Sequence, residues 1–245
     1  MRIARFSDSL GTRFGIVDGP ELAVLKGHPL LENYATTGER VAIKDVKLLA
    51  PTIPSKVICI GKNYLDHAAE MGESAPSEPL IFLKPNTSVI GPDDLILLPT
   101  ESSRVDHEGE LAVVIGKLAK NVSAADASEV IWGYTIANDV TARDLQALDG
   151  QWTRAKGFDT FCPLGPWIET EFIPEEQLLQ TWVDGDIRQS APLSGSNAAF
   201  GRDIRQRARC AAQHARVVAR DFGQQQQHTL LLGACETGDI VYKQR

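Results

Sequence analysis

The stretch "VDHEGELAVVIGK", residues 105–117, sets two carboxylates, Glu108 and Glu110, at the head of the apolar run Leu111, Ala112, Val113, Val114 and Ile115. The run is rich in β-branched residues and reads as a strand on its way into a core. Side chains alternate faces along a strand, so residues spaced by two project to the same side and place Glu108 beside Glu110. Two like charges so placed repel, and a divalent cation compensates both. A solvated strand edge that carries glutamate outward explains the pair equally well. His107 points to the opposite face and is a poor further ligand.

Working outward, "YTIANDVTARD" also runs from β-type residues into a polar terminus, where Asp139 offers a third carboxylate. All-oxygen ligation by three carboxylates suits Mg²⁺ or Mn²⁺, with Ca²⁺ possible, rather than zinc. A turn at Asn138-Asp139 is the competing reading. In "NYLDHAAEMG" a helix capped by Asn63 and stopped by Gly72 puts His67 and Glu70 on one face, where the carboxylate can orient the imidazole as a general base. A polar, exposed helix face has the same pattern. Lys156 in "RAKGFDTFCP" can bind a carboxylate or a developing enolate, or simply reach solvent.

The chain has 245 residues, 43% of them hydrophobic, which is enough for a sizeable core. Its net charge of −7 argues against nucleic acid as a partner and for a small molecule. The first residues hold no apolar signal core, and no segment approaches the roughly 18 to 20 apolar residues of a membrane span, so the expected location is the cytoplasm. Cys59, Cys162, Cys210 and Cys235 are scattered and read as reduced, mostly buried thiols. Residues 1–50 read as a small β-rich lobe built from "RIARFS", "RFGIVDG" and "LAVLKG". Pro51 and Pro54 then mark a linker into a main domain over 51–245. There "VICIG", "PLIFLKP" and "VIWGYTIAND" read as strands, Ser123 as the cap of a short helix, and "LLQTWVDGDIRQ" as a hairpin turned at Asp184-Gly185.

Taken together, "IGKNYLDHAAEM", "EPLIFLKPNTSVIGP", "DHEGELAVVIGK", "GYTIANDVTARDLQ" and "WTRAKGFDTFCPLGPWI" resemble the fumarylacetoacetate hydrolase family in order and spacing, over residues 55 to about 189. The resemblance implies an α+β, mainly β fold, a mixed β-sandwich roll, usually in a homodimer. It implies that Glu108, Glu110 and Asp139 hold Mg²⁺ or Mn²⁺ and that His67 and Glu70 form a water-activating dyad on a mobile lid. By the same matching, Arg143, Gln146 and Lys156 grip the substrate's oxygens, and Lys62 stands where many relatives carry Arg. The implied reaction is metal-dependent hydrolysis of a C–C bond in a small 2-oxo or β-dicarbonyl carboxylate, of acylpyruvate or fumarylpyruvate type, through an enolate. Oxaloacetate decarboxylation and isomerisation of a 2-hydroxyhepta-2,4-diene-1,7-dioate are the alternatives within the family, which serves aromatic catabolism.

The resemblance fades after Gln189. Seven arginines fall between residues 188 and 220, as many as in the first 186 residues, and no Thr-Gly-Thr-Pro substrate loop follows. Residues 190–245 are either a divergent replacement, with a basic amphipathic helix and closing strands, or a disrupted end that leaves a catalytically impaired, metal-binding remnant. The abruptness of the break favours disruption.

Overall fold

The structure is a computed structural model that describes residues 1–31, 33–61, 80–123, 125–174 and 177–193. Four strands open the chain as an antiparallel meander: β1 (Arg2–Asp8), β2 (Gly11–Asp18), β3 (Glu21–Lys26) and β4 (Ala35–Ala42). Ala4, Phe6, Leu22 and Val24 supply its buried face. Short β5 (Lys47–Leu49) returns alongside β1. Next come β6 (Val57–Gly61), β7 (Leu80–Lys84), β8 (Val89–Ile90), β9 (Val105–Asp106), β10 (Gly109–Ile115), β11 (Ile131–Asn138) and β12 (Thr141–Ala142). Two short helices, Arg143–Leu148 and Thr153–Lys156, precede β13 (Cys162–Glu169), β14 (Leu178–Val183) and β15 (Asp186–Pro192).

One sheet joins the two parts of the chain. Its strands run β10-β11-β13-β1-β2-β3-β4, with β5 on β1 and β8 on β13, nine strands in all. The join is the antiparallel pairing Arg2↔Glu169 and Ile3↔Ile168, so the opening meander continues the sheet that carries β10. The β8–β13 ladder is parallel and the others are antiparallel, which makes the sheet mixed, as expected. Smaller two-stranded ladders, β6–β7, β9–β12 and β14–β15, complete a mainly β fold.

The apolar run of β10 is uninterrupted because both of its faces are covered. Leu111, Val113 and Ile115 pack with Val130, Tyr134, Leu179 and Leu193. Ala112, on the other face, packs with Ala50, Ala137 and Leu164. The hairpin turns where expected: Asp184 and Gly185 have φ of 52° and 82°, the paired positive values of a type I′ turn. Two local expectations change. Ser123 closes a turn in which its hydroxyl donates to Asp126 Oδ2 at 2.6 Å, and the short 3-10 helix Ala127–Val130 begins only after it. Glu108 lies outside β10, which starts at Gly109. Residues 62–79, where a helix with His67 and Glu70 is expected, and the tail beyond Leu193 lie outside the described residues.

Replacing Leu111, which is fully buried, with Ala removes atoms from the contact between β10 and the β14–β15 hairpin, and urea denaturation is expected to show a loss of about 2–5 kcal/mol. The same substitution at fully exposed Leu118 is expected to change stability by less than about 0.5 kcal/mol.

Candidate metal centre

The polar ends of β10 and β11 meet. Glu108 precedes β10 by one residue and Asp139 follows β11 by one, and the backbone joins them, with Asp139 N–H donating to the Glu108 carbonyl at 2.8 Å. Asn138 ties the same corner by accepting the Glu108 N–H on Oδ1 at 2.9 Å. Glu108, Glu110 and Asp139 consequently converge, with one carboxylate oxygen from each within 4.8 Å of the others. The sequence placed Glu108 and Glu110 together by strand alternation. The structure places them together although Glu108 is outside the ladder, because the pairing of its carbonyl continues the register for one more residue.

Positive charge surrounds this corner. Lys84, buried at the end of β7, donates to Asp139 Oδ1 at 2.5 Å and to the Val140 carbonyl at 3.1 Å. Lys156, buried at the end of the helix Thr153–Lys156, donates to Asp139 Oδ2 at 2.6 Å and to Glu108 Oε2 at 2.8 Å. Gly157 permits this placement, since a Cβ there would stand 2.4 Å from the Thr153 carbonyl oxygen as the chain turns away. Arg143, first residue of its helix, pairs with Glu108, donates from Nε to Asp106 Oδ2 at 2.9 Å, and from Nη1 to Gln146 Oε1 at 2.8 Å. The Phe82 ring lies 5.1 Å from the Lys156 ammonium, and Trp152 stands edge-on to Phe82.

The protonation states follow from these contacts. Burial works against charge on Asp139, but Lys84 and Lys156 together outweigh it and hold the carboxyl below its usual range. Burial likewise opposes the Lys156 ammonium, and Asp139 and Glu108 outweigh it, so Lys156 stays a cation well past its ordinary pKa. Glu110 goes the other way: burial, then the neighbouring charges of Asp139 and Glu108, push its carboxyl well above the usual value. Burial also lowers the pKa of His107 despite Asp106 and Glu108 nearby.

This donor set fits a hard divalent cation. It offers three carboxylates and no sulfur or imidazole among the clustered groups, the preference of Mg²⁺, Mn²⁺ and Ca²⁺. Each carboxylate has about four acceptor positions, so the lysine contacts leave lone pairs for an ion. Burial and the two neighbouring acids push Glu110 towards its neutral form in spite of Lys156 and Lys84, and a dication at this corner would favour the charged form.

Of the residues singled out in the sequence, the structure brings together Glu108, Glu110, Asp139, Lys156, Arg143 and Gln146. Lys62, His67 and Glu70 fall outside the described residues. Gly61, just before Lys62, lies so close to Trp152 that a Cβ would stand 2.4 Å from its ring. Sequence reasoning missed Lys84, Asp106 and Gln189. A lysine closing the otherwise apolar strand "LIFLK" was a usable signal for Lys84; nothing local marked the other two.

Comparison with known proteins identifies the family. The family model described as "Fumarylacetoacetate (FAA) hydrolase C-terminal" matches residues 56–220, running past Gln189, and one described as "Rv2993c-like, N-terminal" matches residues 1–51. Protein Rv2993c of Mycobacterium tuberculosis is 51% identical over 79% of this chain and 77% of its own length. The oxaloacetate tautomerase Fahd2a, mitochondrial, of Rattus norvegicus is 48% identical over 60% of this chain, a match that spans about half (48%) of the rat protein. Among solved structures, the 2-hydroxyhepta-2,4-diene-1,7-dioate isomerase of Mycobacterium marinum superposes with a TM-score of 0.77 at 42% identity, covering 89% of this chain and 84% of its own. The maleylpyruvate hydrolase of Sphingobium, in complex with manganese(II) and pyruvate, gives a TM-score of 0.67 at 28% identity, covering 89% and 88%. With the family model matched over most of its length and the carboxylate corner in place, this chain belongs to the fumarylacetoacetate hydrolase family.

Proposed function

We propose that this chain is a Mg²⁺- or Mn²⁺-dependent enzyme that hydrolyses a C–C bond in a small 2-oxo or 1,3-dicarbonyl carboxylate, of the acylpyruvate or fumarylpyruvate type. The observation that carries this reading is the convergence of Glu108, Glu110 and Asp139, with the Lys156 ammonium bonded to two of them. The manganese and pyruvate held by the related maleylpyruvate hydrolase support it.

Glu108, Glu110 and Asp139 would hold the ion, which when bound polarises the substrate's oxygens as a Lewis acid. Lys156 is a fixed cation, because its carboxylate partners keep it protonated, and it acts by stabilising negative charge on a substrate oxygen as the bond breaks. It does not serve as a base. Lys84 takes the Asp139 oxygen that Lys156 does not and helps to keep that carboxylate ionised. Arg143 braces Glu108 against Asp106 and presents Gln146 beside it, and these two groups form the polar rim assigned to the substrate carboxylate. In this reading the proton removed from the attacking water would go to His67, with Glu70 as its partner, and Lys62 would supply a further cation for the substrate, roles that the sequence motifs alone imply.

A second reading has direct support in the comparisons: the tautomerase and the isomerase are 48% and 42% identical to this chain, nearer than the hydrolase complex at 28%. In that reading the same corner stabilises the enolate, a proton is returned to carbon, and no water attacks.

A panel of acylpyruvates, fumarylpyruvate, oxaloacetate and an unsaturated 2-hydroxydienedioate, assayed with Mg²⁺, Mn²⁺ and EDTA, is expected to give metal-dependent hydrolysis of an acylpyruvate. Turnover confined to keto–enol exchange or double-bond migration selects the second reading, and Mn²⁺ binding with no turnover identifies an impaired enzyme. Lys156→Met is expected to lower kcat by about 10²- to 10³-fold, measured on the best substrate of that panel. Lys84→Met removes one of the two ammonium partners of buried Asp139 and is expected to cost about 1–3 kcal/mol in urea denaturation without metal.

A further inference from the structure

The backbone between the two glutamates is held from outside its own sheet. β10 ends the strand order and pairs only with β11 among the described strands, leaving one edge open. Peptide groups alternate between the two edges of a strand. The Glu108 carbonyl faces Asp139, so the N–H and C=O of Gly109 face the open edge. Both are taken by one side chain. Gly109 N–H donates to Gln189 Oε1 at 3.0 Å, and Gln189 Nε2 donates to the Gly109 carbonyl at 3.0 Å.

This amide acts as a one-residue strand partner, and its orientation is fixed. A flipped amide would set NH₂ against the Gly109 N–H and oxygen against its carbonyl. Thr181 adds a third constraint by donating its hydroxyl to Gln189 Oε1 at 3.1 Å. Only glycine allows the hairpin so close: a Cβ on residue 109 would stand 2.4 Å from Thr181 Oγ1 and 3.3 Å from Gln189 Oε1.

We infer that Gln189 is a positioning residue for the cation site, setting the separation of Glu108 and Glu110 by clamping the peptide groups of the glycine between them. The inference rests on the metal reading given above. Rotation about the backbone of Gly109 turns one glutamate relative to the other, and glycine, without a Cβ, resists such rotation less than any other residue. The clamp takes up that freedom and transmits the rigidity of the β14–β15 hairpin, anchored by Leu179 and Leu193 in the core, to the carboxylates. Groups that orient ligands from outside typically contribute about 10- to 100-fold to metal affinity.

The test is Mn²⁺ titration of the whole 245-residue chain, following free Mn²⁺ by electron paramagnetic resonance, for the wild type, Gln189→Met, Thr181→Val, Gln180→Ala and Glu110→Gln. Methionine keeps the length of Gln189 and loses both bonds, and the exposed Gln180 on the same hairpin is the control. The expected result is one site in the wild type, none in Glu110→Gln, affinity unchanged in Gln180→Ala, and affinity lowered about 10- to 100-fold in Gln189→Met at full stoichiometry. Thr181→Val is expected to fall between. Wild-type affinity in Gln189→Met, or wild-type affinity with a reduced number of sites, overturns the positioning role and assigns Gln189 to stability alone. Should Gln189→Met fail to fold, Thr181→Val decides, and wild-type affinity there overturns the role. A wild type without Mn²⁺ affinity, or Glu110→Gln that binds as well as the wild type, instead overturns the metal reading and the inference with it.

Discussion

Asp139 is buried with a lysine on each of its oxygens, and the rest of the site is arranged around that fact. A buried carboxylate costs several kcal/mol in lost hydration, and only well-placed positive charge offsets it. Here the charge arrives from two unrelated elements, Lys84 at the end of β7 and Lys156 at the end of a short helix 17 residues beyond Asp139. Lys156 then reaches on to Glu108, and Arg143 grips Glu108 from its other side and continues to Asp106. Strand ends, a ladder and two helices are tied together because one acid is buried among them.

The same electrostatics divides the labour among the three acids. Asp139 has a compensating cation on each oxygen and its carboxyl is held below the usual range; desolvation and the neighbouring charges of Asp139 and Glu108 raise that of Glu110 against the pull of Lys156 and Lys84. Asp144, beside Arg143, shows the structural counterpart: Ser102 and Ser103 hold its carboxyl well below the usual range, which fastens the 102–103 loop to the helix that presents Arg143 and Gln146. That helix is six residues long and is placed by its anchors more than by its own stability.

What the sequence disclosed and what it withheld follow from contact range. The strands β10 and β11 and the Asp184-Gly185 turn are local, and all were readable. The two-faced burial of Leu111 through Ile115 was legible only as a continuous apolar run, since its cause is the hairpin on one side and Ala50 and Leu164 on the other. Glu108 was placed beside Glu110 by a strand rule that it does not obey; the corner forms because the Glu108 carbonyl still pairs with Asp139. Lys84 and Gln189 act across 55 and 80 residues of chain, and no spacing rule reaches that far.

The comparisons also bear on where the choice of reaction is made. A tautomerase, an isomerase and a hydrolase all resemble this chain over more than half of its length. A corner that gathers carboxylates for a cation and keeps an ammonium beside it stabilises an enolate whichever way that enolate was made, so it cannot by itself select hydrolysis over proton return. Selection requires a group that either activates water or delivers a proton to carbon, on the open side of the corner. The sequence offers His67 and Glu70 for that task, a short way along the chain from Gly61, which packs against Trp152, and Trp152 in turn meets edge-on the Phe82 ring that lies beside Lys156. Residues 62–79 join β6 to β7, which ends on Lys84 at the corner, and the packed connection from Gly61 to Lys156 runs through the two aromatic rings. A change in specificity is accordingly expected to begin at those rings and at the residues after Gly61, with the carboxylates unchanged.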